Sequence, residues 1–223
     1  MAQDLDLRLY LVTDPTFPDL VAVTAAAVAG GVTCVQVRDK ACGTSELTRQ
    51  ARELRAVLPP NVAVVVNDDL DAARVVDGIH VGVDDLPPAL ARAELGPDAI
   101  VGWSINDVAQ LDDLTSLAAC DYVAASPVWA TPTKPDASTP FGIDGVRQLA
   151  QRLRQHPAPG SRVPLVAIGG ITHTTAGEVV AAGADGIAVV SAIGAAPDPR
   201  AAARALRAEI DTALALRLSG VPR

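Results

Sequence analysis

Residues 62–69 read Val62-Ala63-Val64-Val65-Val66-Asn67-Asp68-Asp69, and this stretch decides the fold. Five apolar residues stand together with no polar one among them. Strict alternation would mark a strand with one wet face; an unbroken, mostly β-branched run marks a strand buried on both faces, as in a parallel sheet covered by helices. The run predicts a strand over 62–66. The polar residues that close it are followed by a short helical pattern over 70–76.

The same strand-then-helix unit recurs on both sides. Strands are expected at 7–12, 33–37, 78–81, 99–103, 121–124, 163–168 and 186–190. Helices are expected at 19–29 with Gly30-Gly31 as a stop, at 45–58 with Ser45 as N-cap, and at 88–95, 107–117, 144–155, 174–182 and 199–216. Eight units in 223 residues, with no break in composition, predict an α/β chain folded as a single-domain (β/α)8 TIM barrel over 1–223, its core about 7–216 and its tail from Ser219 to Arg223 frayed. An open doubly wound sheet usually holds fewer strands in this length.

Composition narrows the function classes. Net charge is −8 and aromatics are 3% of the chain, which argues against a nucleic-acid binder with its basic face and stacking rings. No apolar run approaches the ~18 residues of a membrane span. The start, MAQDLDLRLYLV, lacks the basic and apolar blocks of a signal peptide. Cys34, Cys42 and Cys120 are odd in number and show no CxxC spacing, so neither a disulfide framework nor a zinc site is expected, and a reducing cytoplasm is the simplest setting.

One connection is unusual. After the strand at 121–124 comes a loop, within the stretch DYVAASPVWATPTKPDASTPFG (residues 121–142), that carries Pro127, Pro132, Pro135 and Pro140, the hydroxyls of Thr131, Thr133 and Thr139, and the cation Lys134. Loops longer than about twelve residues are usually functional or disordered. Hydroxyls and one cation suit an anionic ligand such as a phosphate.

In a barrel of this kind the site lies at the C-terminal ends of the strands, and those ends are polar here. The second strand closes on Gln36-Val37-Arg38-Asp39-Lys40. Alternation sends Gln36, Arg38 and Lys40 one way and Val35 and Val37 the other, which places an amide and two cations at the mouth, able to grip a pyrophosphate. The third and fourth strands end in Asn67-Asp68-Asp69 and Val83-Asp84-Asp85. Neighbouring parallel strands lie ~4.8 Å apart, so acids from two of them suit Mg²⁺, which takes one or two carboxylates with waters and substrate phosphates. Helix capping is the competing use, open to Asp69 and Asp84, and spacing alone does not choose between Asp68 and Asp69 or between Asp84 and Asp85.

The fifth strand ends in Gly102-Trp103-Ser104, where Gly102 permits a close approach and Ser104 offers a hydroxyl or a cap. The seventh ends in Gly169-Gly170 and the eighth in Val190-Ser191, with a short helix expected over 191–194. Loops after strands seven and eight are the usual phosphate site of such barrels. His80 reads as a packing residue within a strand; His156 and His173 have no recognisable partner. The sequence contains no Gly-x-Ser-x-Gly elbow, Walker loop or Rossmann fingerprint.

Taken in order, these segments resemble the thiamine-phosphate synthase family from Tyr10-Leu11-Val12-Thr13-Asp14 to Val190-Ser191-Ala192-Ile193. The matching pieces are Gln36 to Lys40, Asn67-Asp68, Gly78-Ile79-His80-Val81-Gly82 with Asp85-Leu86, Gly102-Trp103-Ser104, Thr131-Pro132-Thr133-Lys134, Phe141-Gly142 and Ile168-Gly169-Gly170-Ile171.

The resemblance implies a transferase with two small-molecule substrates, a pyrimidine diphosphate and a thiazole phosphate. It implies neither nucleic acid nor membrane as partner and leaves a homo-oligomer open. It assigns the pyrimidine diphosphate to Gln36, Val37, Arg38, Asp39, Lys40, Asn67, Ser104 and Lys134, with Arg38, Lys40, Ser104 and Lys134 as the catalytic set. It assigns Mg²⁺ to Asp68 and Asp85, and the thiazole phosphate to Thr131, Pro132, Thr133, Gly170, Val190 and Ser191; Gly169, in the same turn as Gly170, is a further substrate-binding candidate.

Two departures stand out: Asp39 occupies a position where glutamate is usual, and Trp129-Ala130 one where the family often has Phe-Pro. A thiazole tautomerase, the rival of the same fold, resembles this chain but uses a histidine after the sixth strand, and none occurs between His80 and His156. A non-catalytic phosphate sensor would be expected to lack the metal acids or Lys134, and all are present.

Overall fold

The computed structural model describes residues 5–131, 139–155 and 163–219. Eight parallel strands close on themselves: β1 (Leu9–Val12), β2 (Cys34–Val37), β3 (Ala63–Asn67), β4 (Gly78–Val81), β5 (Ile100–Ile105), β6 (Tyr122–Ala125), β7 (Leu165–Ile168) and β8 (Gly186–Val189). Each pairs with the next, and Leu9 opposite Ile187 closes the ring. The expected (β/α)8 barrel is the observed one.

Around it lie α1 (Leu20–Ala29), α2 (Thr44–Val57), α3 (Leu70–Ala73), α4 (Pro88–Leu95), α5 (Leu114–Ala119), α6 (Gly142–Gln155), α7 (Ala176–Ala181), α8 (Ser191–Gly194) and α9 (Pro199–Ser219). The apolar residues divide into two sets. A large outer core fills the space between sheet and helices and contains Val35, Val37, Val64 and Val66; a smaller inner one fills the barrel and contains Tyr10, Cys34, Val65, Tyr122, Ala124 and Val166. The two sets follow from strand alternation, with successive side chains on opposite faces.

Several helix ends follow their sequence signals. The Asp19 carboxylate accepts from Ala22 N at 2.9 Å, and that of Asp69 from Ala72 N at 2.9 Å, so α1 and α3 begin at capped aspartates. Three expectations are corrected. Ser45 does not cap α2: the helix begins at Thr44 after an extended Gly43, and Thr44 Oγ1 donates to Asp69 Oδ2 at 2.6 Å, tying the start of α2 to the cap of α3. The single helix expected over 107–117 is a 3₁₀ turn, Val108–Asp112, followed by α5. Asp113 Oδ1 accepts from Ser116 N at 3.1 Å and starts a new helix where the old one would have continued. Asp84 does not cap α4, whose N-cap is Pro87 and which starts with Pro88.

The N-terminal rim of the barrel carries a repeated tie. Asp77, Asp121 and Asp185 each stand just before an even-numbered strand. Their carboxylates accept from Val64 N (2.7 Å), Val101 N (2.7 Å) and Leu165 N (2.9 Å) on the preceding odd strand. Each also pairs with a guanidinium from a helix: Arg55 at 2.9 Å, Arg92 at 2.6 Å and Arg217 at 3.0 Å. These groups lie at the end of the barrel away from the polar strand ends, where such barrels keep stability apart from chemistry.

Candidate active site

A cavity of ≈ 320 Å³ opens at the C-terminal ends of the strands. Gln36, Arg38, Lys40, Asn67, Asp85, Ser104, Thr131, Gly169, Gly170, Val190 and Ser191 all border it. The fold thus gathers residues from β2 to β8 around one space. Val37 does not border it: its side chain is buried in the outer core, one step of alternation from Gln36 and Arg38. Asp39 also stands off, with its carboxylate accepting from Ala41 N at 2.9 Å. Pro132, Thr133 and Lys134 lie outside the described residues.

The acidic side is built by β3 and β4. Capping commits Asp69 to α3; Asp68 does not itself border the cavity but stands against Lys40, which does. Asp68 has φ 62°, a left-handed backbone that non-glycine residues adopt uncommonly. Its amide donates to His80 O at 3.0 Å, and its Oδ2 accepts from the Asn67 side-chain amide and lies 3.5 Å from Lys40 Nζ. Oδ1 is buried and has no hydrogen-bond partner among the described residues. On β4's side, Asp85 Oδ2 accepts from Gly82 N at 2.8 Å.

Burial pushes the Asp68 carboxyl up to about 6, the neighbouring Asp85 carboxyl adds to the rise, and the Lys40 ammonium opposes it. Two neighbouring carboxyls, one with an orphaned buried oxygen, form a donor set that fits a hard divalent cation with open positions for phosphate oxygens. Among the described residues no group of three His, Cys, Asp or Glu converges, so the protein would supply two acids and the remaining positions would fall to water or ligand.

The opposite side is made of backbone. Gly169 and Gly170 have φ 107° and 67°, and a Cβ at either would press on Pro127 (2.6 Å) or Trp129 (2.9 Å). Glycine is therefore needed both for the turn and for the close passage of the long loop's first arm. That arm is pinned by Val128 N to Ile168 O (2.8 Å) and Trp129 N to Gly169 O (3.1 Å); the returning arm is pinned by Phe141 N to Pro127 O (2.9 Å). Thr131, Gly170 and Ser191 all border the cavity, and α8 forms at the expected residues.

The floor holds what the sequence reading missed. Gln36 Nε2 donates to Tyr10 Oη at 2.7 Å, Tyr10 Oη meets Tyr122 Oη at 2.9 Å, Tyr122 Oη meets His80 Nδ1 at 2.9 Å, and His80 Nε2 meets Ser104 Oγ at 2.8 Å. Gly102 makes room for it: a Cβ there would lie 2.1 Å from Tyr122 Cζ. The available signal was polar residues at inward strand positions, Tyr10, Gln36, His80, Ser104 and Tyr122, where a barrel interior is normally branched and aliphatic.

The thiamine monophosphate synthase family model matches residues 9–193, which takes in every strand and the whole cavity wall. The chain belongs to the thiamine monophosphate synthase family. It is 45% identical over 214 residues to the thiamine-phosphate synthase of Albidiferax ferrireducens, covering 92% of each chain. It is 44% identical to that of Chloroflexus aurantiacus, covering 93% of this chain and 94% of the relative. Among solved structures, thiamine phosphate pyrophosphorylase from Pyrococcus furiosus superposes with a TM-score of 0.76 at 31% identity, over 94% of this chain and 98% of that one. A 3-hexulose-6-phosphate synthase superposes at 0.65 with 19% identity over 91% of this chain and 99% of that one, a likeness of fold alone. Among the described residues, no helix of this family member is long and apolar enough to cross a membrane.

Proposed function

We propose that the protein joins 4-amino-2-methyl-5-(diphosphooxymethyl)pyrimidine to 4-methyl-5-(2-phosphooxyethyl)thiazole, giving thiamine phosphate and pyrophosphate. Family membership supports the reaction. The observation that supports the site reading is the buried Asp68 Oδ1, without a hydrogen-bond partner among the described residues, beside Asp85 and against the Lys40 that borders the cavity with Arg38 and Asn67.

The two halves of the cavity suit the two substrates. Arg38 and Lys40 offer charge to a diphosphate, with Gln36, Asn67 and Ser104 as polar contacts. Thr131, Gly170, Val190 and Ser191 form the other wall, fitted to a monophosphate by backbone donors and hydroxyls. Asp68 and Asp85 would hold Mg²⁺, which when bound neutralises charge on the leaving diphosphate. Arg38 and Lys40 stabilise the same growing charge by preorganised electrostatics, and the family resemblance adds Lys134 to that set. The path is dissociative: the C–O bond to the diphosphate breaks first, the pyrimidine amino group stabilises the methylene cation, and the thiazole nitrogen then attacks. No protein base or nucleophile is needed. The expected partners are the two substrates, in a cytoplasmic setting.

The test is pyrophosphate release by the purified protein. Release that needs both substrates and Mg²⁺, with thiamine phosphate found by mass, supports the reading. Tight binding of the thiazole phosphate with no turnover would overturn it. A pyrimidine with trifluoromethyl in place of the 4-amino group should react far more slowly; an equal rate would exclude the cation. Lys134→Ala should lower kcat sharply, whereas an effect confined to the thiazole KM would make Lys134 a binding residue.

A further inference from the structure

Five residues from five strands form one line of hydrogen bonds across the barrel: Gln36 (β2), Tyr10 (β1), Tyr122 (β6), His80 (β4) and Ser104 (β5). Both ends, Gln36 and Ser104, border the cavity. We propose that His80 is a positioning residue for the reaction: Tyr10 and Tyr122 hold it with its proton on Nε2, and it thereby turns the Ser104 hydroxyl to donate into the cavity. This rests on the reading that Ser104 touches the pyrimidine diphosphate.

The direction follows from what each group can do. An amide nitrogen only donates. Tyr10 Oη accepts from Gln36 Nε2, and its own O–H goes to Tyr122 Oη at 2.9 Å, a better acceptor than the neighbouring Cys34 sulfur. Tyr122 in turn gives its O–H to His80 Nδ1. A neutral imidazole that accepts at Nδ1 carries its proton on Nε2. Nε2–H then donates to Ser104 Oγ, and the serine proton is left to point elsewhere. The cavity lies on that side.

The setting enforces the order. Tyr10 is 1% exposed and Tyr122 is fully buried, and burial pushes both phenols well above their ordinary range, so each keeps the single proton the line requires. The rings are locked against one another. His80 stacks on Tyr122 with centroids 5.5 Å apart and planes at 25°, and Tyr10 meets Tyr122 edge-on at 5.9 Å and 76°. Any side chain at position 102 would displace the Tyr122 ring, so Gly102 is part of the same device.

The consequence is chemical. An anionic or ring-nitrogen acceptor meets a donor at Ser104, and the Gln36 amide oxygen is left as an acceptor for an amino group. An amino-substituted heteroaromatic ring with a phosphate tail presents that pair. A line running the other way would offer serine lone pairs to an anion.

The experiment begins with the wild-type protein, ¹⁵N-labelled at histidine, whose ring nitrogens are read by long-range ¹H–¹⁵N correlation. His80 should carry its proton on Nε2, and Tyr122→Phe should shift the Nδ1 signal. Kinetics of His80→Ala, Ser104→Ala and the double variant follow. Each single change should lower kcat about 10- to 100-fold, the worth of one hydrogen bond to a charged group. The double variant should be no slower than Ser104→Ala, and His80→Gln, which can still bring an N–H to Ser104, should recover part of the loss. Multiplicative losses, or a proton on Nδ1, would overturn the proposal. The two sources of failure are distinguishable. Nε2–H with a kinetically silent Ser104→Ala refutes the reading of Ser104; Nδ1–H with a damaged Ser104→Ala refutes the relay.

Discussion

Lys40 Nζ stands 3.5 Å from Asp68 Oδ2, so the last cation of the β2 end is in contact with the acid that follows β3. The charge proposed to meet the diphosphate thus also acts on the charge state of its neighbour. Lys40 pulls the Asp68 carboxyl down while burial and Asp85 push it up. Lys40→Ala should therefore raise the Asp68 pKa further. Asp68 has to be deprotonated to hold a cation, so the acid limb of the kcat/KM profile, measured at limiting Mg²⁺, should move to higher pH. An acid limb that stays in place would separate the two residues.

Asp68→Asn should be more heat-stable than the wild type in metal-free buffer while losing activity. A carboxyl raised from 3.8 to about 6 in the folded state makes that state bind more protons than the unfolded chain across this window. Its contribution to stability is fully present below 3.8 and is lost as pH rises through 6. Removing the charge should gain on the order of 1 kcal/mol at pH 8, about 2–4 °C in Tm, and nothing near pH 4. Calorimetry at the two pH values checks both the sign and its disappearance.

Gly102→Ala should destabilise the barrel. The new methyl would lie 2.1 Å from a fully buried tyrosine ring whose hydroxyl is bonded to both Tyr10 and His80, so moving the ring aside would disturb those bonds. Overpacking of this kind costs about 1–3 kcal/mol. Thermal unfolding would show it, and Gly102→Ser should be no better.

Asp185→Ala should lower stability and spare the chemistry. It leaves Leu165 N without the carboxylate at 2.9 Å and takes from Arg217 its carboxylate partner at 3.0 Å, leaving that guanidinium only its bonds to the Val180 and Ala184 carbonyls, all at the rim away from the cavity. The loss of a partly buried acceptor costs about 1–3 kcal/mol. The midpoint of urea unfolding should fall, with kcat unchanged at a temperature where the variant is folded.

Much of the fold was legible because its signals are local. Val62 to Val66 announces a doubly buried strand with no knowledge of its neighbours, and Asp19 and Asp69 announce helix starts. The helix over 107–117 divides because Asp107 and Asp113 both cap: Asp107 starts the 3₁₀ turn and Asp113 starts α5, and no apolar periodicity marks the break between them. The cavity wall was legible because cations, acids and paired glycines fall at strand ends. The line through His80 was not. His80 alone reads as a packing residue, and its partners meet it only because cross-strand register sets Asn67, His80, Gly102 and Tyr122 opposite one another in turn across β3 to β6. Register around a closed barrel is fixed by stagger and tilt, which belong to the whole ring and to no one segment.

The three carboxylate–guanidinium ties at the N-terminal rim bear on how the chain assembles. Their partners are 22, 29 and 32 residues apart along the chain. Closing loops of that size is inexpensive in entropy, and each doubling of length adds only ~0.6 kcal/mol. Three corners of the ring can therefore be fastened from nearby chain alone. The seam between β1 and β8, where Leu9 meets Ile187, joins the two ends of the sequence and is the natural last step. Substitutions at Asp77 or Asp121 should then slow folding, while a substitution at the seam should mainly speed unfolding. Stopped-flow folding and unfolding rates would separate the two, and a seam variant that slowed folding instead would place closure early.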